Sequence, residues 1–544
     1  MTKREVTYDF YKNQFPPENQ PSFLLPEFDG KESNLGILLT RGLHEDREMS
    51  KTAIIGKDSE TSYQELDEIT NKMGSSMQKI GLKGGDRVVF LSDVPRTKES
   101  IFVVLAAMKI GCVGLCPLSK LLALDQLEKV LERVQPNLIV VGELEENSHF
   151  FQFVAKLKEE KADSTPLFTI LDKKHSKIQL RSLFEIQTEE NVSFPVMIEN
   201  SKGLTPAQFF TTSGTTGIPK LCLHFHSTLL FTVKAFVDLF SFHKNDIFLL
   251  LTSTSGTYGV ISTYMALLTG ATIILDSFTP ATELISIHQP TVVLEGPSFY
   301  HGLLQSDFSF PSSVKYLISA GEKLQKSTFE QFQKKFKLPV YDTIGATEIG
   351  FCYISNSPGN VKAGSTGLVI PGYELKIVDE KSRKEIKQAD KSGILYVKGP
   401  GNCYYFKSSE AQAKSIEDGW FCTGDLFSRD SDGFYYCLGR QDDVIMVDGY
   451  NISPVTIEEA LLKHPSVSDA GVFAVYDEKV STSKIVAAVV NKDKGKAKKE
   501  KELQEWINSE VSDTNQVDKI LCVESLPRKG TGNKLNRKQL SKLL

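Results

Sequence analysis

The sequence lacks several features that would restrict its function at once. Its 63 Lys and Arg residues nearly balance 68 Asp and Glu residues, so a net charge of −5 gives no general attraction to nucleic acid or anionic lipid. The 544 residues include eight cysteines, and no pair has the spacing of a zinc ribbon or a redox motif. We therefore expect no disulfide framework and no nucleic-acid partner.

Long apolar runs are also missing. No uninterrupted run approaches the roughly 20 residues that span a bilayer, and the N-terminal residues lack the apolar segment of a signal peptide. The chain ends in SKLL, which differs from the peroxisomal tripeptide by an added leucine. We expect no membrane span and a cytoplasmic location, and nothing in the sequence predicts the oligomeric state.

Short apolar segments alternate with helical patterns through much of the chain. Segments 86–92 and 137–142 are rich in Val, Ile and Leu, and the amphipathic stretch 124–134 separates them. This pattern is typical of buried parallel strands joined by helices. It predicts an α/β fold with two such units, at 52–136 and 205–338.

The two ends of the chain have different patterns. Scattered prolines and weak periodicity predict an irregular arm at 1–50. Residues 365–440 contain short strands with glycine-rich turns, which predict a small β-barrel-like lobe. The last stretch, of about 100 residues, has the size and pattern of a separate α+β module. We therefore divide the chain into the arm, a large domain at 51–441 and a small domain at 442–544.

The strongest local signal is TTSGTTGIPK at 211–220, which directly follows an apolar strand. Glycines let backbone N–H groups approach phosphate, hydroxyls add donors and a lysine neutralises charge. The segment lacks the Gly-Lys-Ser/Thr ending of a P-loop, and taken alone it could also be a polar linker. The predicted polyphosphate-binding residues are Thr211, Thr212, Ser213, Gly214, Thr215, Thr216, Gly217 and Lys220.

Further segments follow in a recognisable order: SAGEKL (319–324), YDTIGATEIG (341–350), GWFCTGD (419–425), GRQDDVIMVDGYNISP (439–454) and LPRKGTGNKLNRKQL (526–540). Together with the first motif they resemble the acyl-adenylate-forming superfamily of acyl-CoA synthetases, peptide synthetase adenylation domains and beetle luciferases. The phrasing is most similar to benzoate- and aryl-CoA ligases. The resemblance implies a large N-terminal domain of two αβ subdomains and a distorted β-barrel, with a small mobile α+β C-terminal domain.

The resemblance implies roles for residues of the large domain. Thr347 would contact the α-phosphate, and Glu348 would ligate Mg²⁺, a hard cation that prefers carboxylate oxygens. Asp425 would accept bonds from both ribose hydroxyls, and Arg440 would add positive charge beside them. The residues that would line the adenine are Gly321, Glu322, Asp342, Thr343 and Ile344.

The small domain would supply the groups that change between two half-reactions. Lys534 matches the lysine that reaches the carboxylate and the α-phosphate, although Asn533 stands where the family has glycine before the lysine. Asp442 matches the hinge about which the small domain turns. Gly449 matches the residue whose missing side chain leaves room for the pantetheine arm.

The comparison with aryl-CoA ligases also implies an acyl pocket. An imidazole and an aliphatic residue are usual where Phe351 and Cys352 stand, and an aromatic is usual where Ser255 stands. These departures predict a cavity of different shape from that of a plain benzoate ligase. The predicted pocket residues are Ser255, Thr257, Tyr258, Gly259, Phe351 and Cys352.

His224 and His226 alternate along the strand after the first motif. A metal site would need a carboxylate or cysteine partner, and the sequence identifies none. We therefore expect a structural or substrate-lining role for both histidines.

The resemblance implies a reaction in two steps that uses ATP, Mg²⁺ and coenzyme A. The carboxylate of a small aryl or medium-size acid would attack ATP to give acyl-AMP and pyrophosphate, and the CoA thiol would then displace AMP. No protein nucleophile is required, which agrees with the lack of a Ser/His/Asp arrangement. Alternatives are transfer to the phosphopantetheine of a carrier protein, and a non-catalytic nucleotide-binding relative.

Overall fold

The computed structural model describes residues 34–42, 47–115, 118, 124–146, 148–160, 166–169, 180–186, 205–212, 219–443, 445–447, 450–477, 482–492, 500–512, 515–529 and 534–544. Up to residue 345 the elements in chain order are α1 Leu35–Arg41, β1 Thr52–Ile55, β2 Glu60–Ser62, α2 Tyr63–Lys79, β3 Arg87–Leu91, α3 Lys98–Lys109, β4 Val113–Leu115, α4 Leu124–Val134, β5 Leu138–Val141, α5 His149–Glu160, β6 Leu167–Thr169, β7 Arg181–Ser182, β8 Pro206–Thr211, β9 Leu221–Phe225, α6 His226–Phe240, β10 Ile247–Leu250, α7 Thr257–Thr269, β11 Thr272–Ile274, α8 Ala281–His288, β12 Val292–Glu295, α9 Pro297–Leu304, β13 Tyr316–Ser319, α10 Lys326–Phe336 and β14 Val340–Gly345.

Beyond residue 345 the elements are shorter and richer in strand. They are β15 Cys352–Ser355, β16 Leu368–Val369, β17 Glu374–Val378, β18 Gly393–Lys398, β19 Tyr404–Tyr405, α11 Ser409–Ser415, β20 Ile416–Glu417, β21 Trp420–Arg429, β22 Tyr435–Arg440, β23 Ile445–Val447, β24 Tyr450–Ile452, α12 Pro454–Leu461, β25 Val467–Asp477, β26 Thr482–Asn491, α13 Glu500–Glu510, β27 Lys519–Val523, β28 Arg528–Lys529, β29 Lys534–Leu535 and α14 Arg537–Leu540. Among the helices described here, none is both long and apolar enough to cross a membrane.

Two large sheets form the body of the molecule. The first sheet has the order β19-β9-β8-β4-β3-β5-β6-β7, and its central pairs are parallel. The second sheet has the order β16-β15-β14-β13-β12-β10-β11-β1-β2, with parallel pairing from β1 to β14. Inner strands of such sheets are buried on both faces, and β5 of the first sheet and β10 of the second are accordingly apolar along their whole length. The predicted α/β class is confirmed.

The predicted units at 52–136 and 205–338 do not match the sheets. β1 pairs in parallel with β11 in the second sheet, and β8 pairs in parallel with β4 in the first sheet. The first strand of the unit at 52–136, β1, therefore belongs to the second sheet. The first strands of the unit at 205–338, β8 and β9, belong to the first sheet. Short apolar strands are alike in sequence, so their composition predicts burial but does not identify the partner strand.

The predicted irregular arm at 1–50 is wrong in its last part. Residues 1–33 lie outside the described range, but α1 is a helix capped by Asn34, whose side chain accepts from the Ile37 N–H at 3.3 Å. Leu35 and Leu39 are fully buried in the large core. Burial of this apolar face stabilises a helix that is too short to be stable alone.

A buried ion pair joins α2 to α3. Lys109 is fully buried, and its Nζ lies 2.6 Å from Asp67 Oδ1. Thr70 Oγ1 and Asn71 Oδ1 also accept from this ammonium, at 2.8 and 2.9 Å. The cation thus has an acceptor for each of its three protons, which offsets the cost of removing it from water.

The third sheet is antiparallel and corresponds to the predicted barrel-like lobe. β18 pairs with β17 and β21, and β21 pairs with β22. Gly367 connects this lobe to the second sheet, because its carbonyl accepts from the Tyr435 N–H at 2.9 Å. Gly367 has φ +112°, and an added Cβ would lie 1.9 Å from the carbonyl carbon of Ser355. Only glycine fits this junction.

The C-terminal residues form a separate layer around a core of their own. β25, β26 and β27 make a three-stranded sheet, and α12 and α13 pack against it. These elements match the strands and helices predicted for the α+β module. The core residues include Ile457, Val472 and Ile507, which are fully buried.

Candidate active site

The predicted phosphate-binding segment connects two antiparallel strands of the first sheet. β8 ends at Thr211, and the N–H of Thr212 donates to the carbonyl oxygen of Lys220 at 3.0 Å. The Lys220 N–H donates in turn to Thr212 Oγ1 at 3.3 Å. The base of the loop is therefore closed. The predicted residues Ser213, Gly214, Thr215, Thr216 and Gly217 lie outside the described residues.

Glu348 lies in a short 3₁₀ helix, Thr347–Ile349, between β14 and β15. Tyr405 Oη donates a 2.8 Å hydrogen bond to Glu348 Oε1. The ammonium of Lys220 lies 4.9 Å from the centre of the Tyr405 ring. Burial, and then the charge of Glu348, raise the pKa of Tyr405, so the phenol remains a donor. A carboxylate held in this way next to threonine hydroxyls is a fitting ligand for Mg²⁺.

Tyr405 is a site residue that the sequence interpretation missed. It lies 57 positions after Glu348 in the segment GNCYYFK, which contains no acidic residue to suggest a shared site. β19 pairs with β9 so that Tyr405 is opposite Cys222, two residues from Lys220. The Cys403 N–H also donates to the carbonyl oxygen of Glu348 at 2.7 Å. In the sequence, the local feature that could have drawn attention to Tyr405 is the pair Tyr404-Tyr405 after the glycine-rich segment 399–401.

Thr347 is held from two sides. Thr257, the first residue of α7, donates from Oγ1 to Thr347 Oγ1 at 3.3 Å. His224 on β9 donates from Nε2 to the carbonyl oxygen of Thr347 at 2.8 Å. The GATE segment is thereby held between β9 of the first sheet and α7, the helix that follows β10 of the second sheet.

The segments predicted to line the adenine are neighbours in the second sheet. β13 pairs with β14 so that Ser319 is opposite Asp342, which brings the turn with Gly321 and Glu322 next to them. Asp342 is buried and accepts from the Leu324 N–H at 3.4 Å. Burial raises the pKa of Asp342. On β14, Thr343 donates to a backbone carbonyl and Ile344 is half-buried. The structure thus brings the five predicted adenine-lining residues into neighbouring segments. Their contacts with a nucleotide remain a prediction.

Asp425 and Arg440 face each other across β21 and β22. The two residues are directly opposite in the strand register, and Arg440 Nη1 lies 3.1 Å from Asp425 Oδ1. Arg440 Nη1 also donates to the carbonyl oxygen of Thr423 at 3.1 Å. The side chain of Arg440 is 48% exposed, so this pair lies at a solvent-exposed position of the third sheet. A ribose that binds there would displace water.

The small domain contacts the turn that carries Glu322. The Leu535 N–H donates to Glu322 Oε1 at 2.9 Å, and Arg528 Nη1 lies 3.6 Å from Glu322 Oε2. Lys323 Nζ also forms a 2.6 Å ion pair with Glu459 Oε1. These contacts bring β29, which begins at Lys534, next to the turn that is predicted to line the adenine.

Other predicted residues of the small domain are less fully described. The side chain of Lys534 lies outside the described part of the chain, and so does Gly449. Asp442 is in the exposed 3₁₀ helix Gln441–Asp443, between the last strand of the third sheet and β23. This position is between the two domains, and the hinge role remains a prediction.

Two of the six residues of the predicted acyl pocket are aromatic, and their rings stack on each other. Tyr258 and Phe351 stack with ring centres 5.6 Å apart and planes 8° apart, and Tyr258 Oη donates to the Ile318 carbonyl at 3.3 Å. Cys352 is buried, and burial raises its pKa to about 12, so it is a neutral wall residue. Thr257 is the first residue of α7, and Ser255 directly precedes Gly256, the N-cap of this helix. A Cβ on Gly259 would lie 2.2 Å from the Ser253 carbonyl oxygen.

The two histidines are fully buried and serve different parts of the fold. His224 bonds the Thr347 carbonyl, and burial lowers its pKa to about 4. His226 accepts from the Leu35 N–H at 3.0 Å through Nδ1, and burial lowers its pKa to about 3. Both rings are therefore neutral at physiological pH. His226 anchors α1, whereas His224 contacts the candidate site.

Comparison with known proteins agrees with this geometry. A family model described as AMP-binding enzyme matches residues 44–405, and one described as AMP-binding enzyme C-terminal domain matches residues 456–533. A 3-hydroxybenzoate–CoA ligase from Aromatoleum sp. (strain CIB) is 28% identical over 527 residues, or 94% of this chain and 96% of the relative. An anthranilate–CoA ligase from Pseudomonas aeruginosa is 36% identical over 267 residues, or 48% of this chain and 51% of the relative.

A solved structure of a CoA ligase is similar to this chain over nearly its whole length. A benzoate CoA ligase from Burkholderia xenovorans LB400 superimposes with a TM-score of 0.80 at 25% sequence identity, covering 93% of this chain and 99% of that chain. The resemblance to acyl-adenylate-forming enzymes and the predicted architecture of a large and a small domain are confirmed. With a family model matched over most of its large domain, the chain belongs to the AMP-binding enzyme family.

Proposed function

We propose that this protein is an AMP-forming acid–CoA ligase that uses ATP, Mg²⁺ and coenzyme A, with an aromatic carboxylic acid as substrate. Relatives named as hydroxybenzoate, benzoate and anthranilate CoA ligases support the class of acid. The observation that carries the proposal is the bond from the Leu535 N–H to Glu322, because it brings the strand of Lys534 to a turn that is predicted to line the adenine. In the proposed adenylation step, this lysine would act at the reacting phosphate.

The first half-reaction joins the acid to AMP. The carboxylate oxygen attacks the α-phosphorus of ATP, and the bond to the pyrophosphate oxygen breaks. Lys220 and Thr212 would hold the phosphates, and Glu348 would hold a Mg²⁺ ion that neutralises phosphate charge. Lys534 would stabilise the charge that collects on the acid and the α-phosphate during attack.

The second half-reaction transfers the acyl group. The CoA sulfur attacks the acyl carbonyl carbon, the thiol proton leaves to solvent, and the C–O bond to AMP breaks. The small domain would first rotate about Asp442, which separates Leu535 from Glu322 and brings Gly449 toward the reacting carbonyl. Domain rotation of this kind can limit turnover.

Exchange of labelled pyrophosphate into ATP tests the adenylation step. We expect exchange with at least one acid from a panel of aryl, cyclic, medium-chain and amino acids. Lys534→Ala should slow exchange by about 10²- to 10³-fold, as typically follows loss of a preorganised charge. Lys542→Ala, an exposed lysine in the last turn of the chain, is the matched control and should have no effect.

Each alternative has its own outcome. If no acid supports exchange, the proposed adenylation activity is refuted, and a non-catalytic nucleotide-binding relative is favoured. Exchange followed by acyl transfer to a phosphopantetheinylated carrier protein, with no transfer to CoA, would identify the carrier as the thiol partner. Formation of AMP and acyl-CoA in equal amounts supports the proposal.

A further inference from the structure

The large and small domains have separate apolar cores in the described part of the chain. The clusters of buried apolar side chains on one side of residue 442 contain only residues of the large domain, and those on the other side contain only residues of the small domain. Domains whose interface is not large and apolar are expected to move relative to each other. Polar contacts then carry more of the energy that holds the small domain in place.

Two adjacent residues of the large domain carry opposite charges, and each pairs with an opposite charge on the small domain. Glu322 Oε2 lies 3.6 Å from Arg528 Nη1, and Lys323 Nζ lies 2.6 Å from Glu459 Oε1. Complementary charges of this kind fix the register of two surfaces, because a small shift brings like charges together. The shorter of the two ion pairs is the one between Lys323 and Glu459.

This pair is also partly protected from water. The side chains of Lys323 and Glu459 are 13% and 29% exposed. Glu459 directly follows Glu458, whose Oε2 accepts from Arg537 Nη2 at 2.8 Å inside the small domain. Helix α12 therefore presents one carboxylate to its own domain and the next to the large domain. Loss of a partly buried pair costs more than loss of an exposed pair and less than loss of a fully buried one.

The turn that carries Lys323 also holds the strand of Lys534. The Leu535 N–H donates to Glu322 Oε1, so adjacent residues of one turn bind two elements of the small domain, α12 and β29. We call this arrangement the docked position. In the proposed reaction, the docked position brings Lys534 toward the α-phosphate, and rotation about the hinge ends it.

We infer that the Lys323–Glu459 ion pair holds the small domain in the docked position for adenylation and breaks before the thiol attacks. This inference rests on the proposed function. Both residues are positioning residues, because they act on the reaction through the placement of Lys534. Every turnover needs the docked and the rotated position, so neither is favoured by a wide margin, and loss of one ion pair changes their populations.

Reversal of the pair tests this role in the full-length protein. Lys323→Met should slow pyrophosphate exchange by about 5- to 30-fold and should not slow thioester formation from supplied acyl-AMP and CoA. Lys323→Glu should slow exchange further, because two carboxylates then face each other. Adding Glu459→Lys should restore exchange to within about threefold of the wild type. Lys326→Met is the matched control and should change neither rate, because Lys326 pairs with Glu330 within α10.

Hydrogen exchange of the Leu535 amide gives a second measurement that needs no substrate. Lys323→Met should speed this exchange by a similar factor, because the amide is released whenever the small domain leaves the docked position. The Val472 amide donates to Glu458 within the small domain, so its exchange should stay unchanged. If Lys323→Met fails to fold, Glu459→Gln breaks the same pair from the other domain and should have the same effects.

Two results would overturn the inference. One is equal slowing of both half-reactions in Lys323→Met, which would indicate a general structural role. The other is a reversed pair that folds, with a protected Val472 amide, and yet does not recover exchange. Absence of pyrophosphate exchange in the wild type with every acid refutes the proposed function instead. The Leu535 amide would still show whether the ion pair holds the docked position.

Discussion

The hydrogen bond between Tyr405 and Glu348 leads to a prediction about metal-dependent ATP binding. Replacing Tyr405 by Phe removes only the phenol oxygen that lies 2.8 Å from Glu348 Oε1. Tyr405 is 4% exposed, so bulk water has little access to replace the lost donor. The carboxylate then becomes free to turn away from the position in which it would hold Mg²⁺.

The size of the effect follows from the charge on the acceptor. A hydrogen bond to a charged group contributes about 1.5–3 kcal/mol. If the full loss is expressed when Mg²⁺ and ATP bind, their apparent affinity falls by about 10- to 150-fold, since each ~1.4 kcal/mol is a factor of ten. The rate at saturating Mg²⁺ and ATP should fall less, because the metal itself can reorient the carboxylate.

Pyrophosphate exchange measured over a range of Mg²⁺ concentrations provides the assay. Tyr404→Phe is the control, because it removes a buried hydroxyl from the same short strand, and successive residues of a strand point to opposite faces. The reasoning is refuted if Tyr405→Phe and Tyr404→Phe have the same Mg²⁺ requirement as the wild type. Equal losses of thermal stability in both variants would not alter this conclusion.

Three further changes have defined outcomes. Asp67→Asn leaves the ammonium of the fully buried Lys109 without its counter-charge and should lower the free energy of unfolding by about 3 kcal/mol in urea titration; an unchanged midpoint would contradict it. Burial alone would raise the pKa of Asp67, but its ion pairs lower it to about 2, so the contribution should be present above about pH 4 and be lost toward pH 2. Gly367→Ala should prevent correct folding or cost at least about 3 kcal/mol, seen as loss of the cooperative thermal transition, because its Cβ overlaps backbone. Glu322→Ala removes the acceptor for Leu535 and should slow pyrophosphate exchange more than thioester formation from supplied acyl-AMP; equal slowing would argue against docking of the small domain at this turn.

The sequence predicted the class of fold well and its connections poorly. Apolar segments such as β3 and β5 indicated buried parallel strands, because a strand covered on both faces has no polar alternation. The partner of β1 was not predictable, since pairing depends on how the whole chain packs. The helix α1 was missed because its stability comes from burial against distant elements, which a local pattern does not contain.

The candidate site was predictable where its residues lie in continuous motifs. Glu348 and Asp425 were predicted as site residues from short segments, and in the structure each has a hydrogen-bond partner, Tyr405 and Arg440. Tyr405 was not identified, because its hydrogen bond to Glu348 depends on the pairing of β19 with β9. Such features appear only when the backbone is assembled.

The exchange of strands between the two sheets has a consequence for synthesis of the protein. Ile54 of β1 is opposite Ile273 of β11, and Ala53 and Ile54 are fully buried in the finished fold. At 5–20 residues per second, the roughly 220 residues between these strands take about 10–45 s to leave the ribosome. During that interval β1 can pair only with β2, so its other edge lacks a partner strand. A fragment that ends before β11 would expose this edge, which is prone to aggregation.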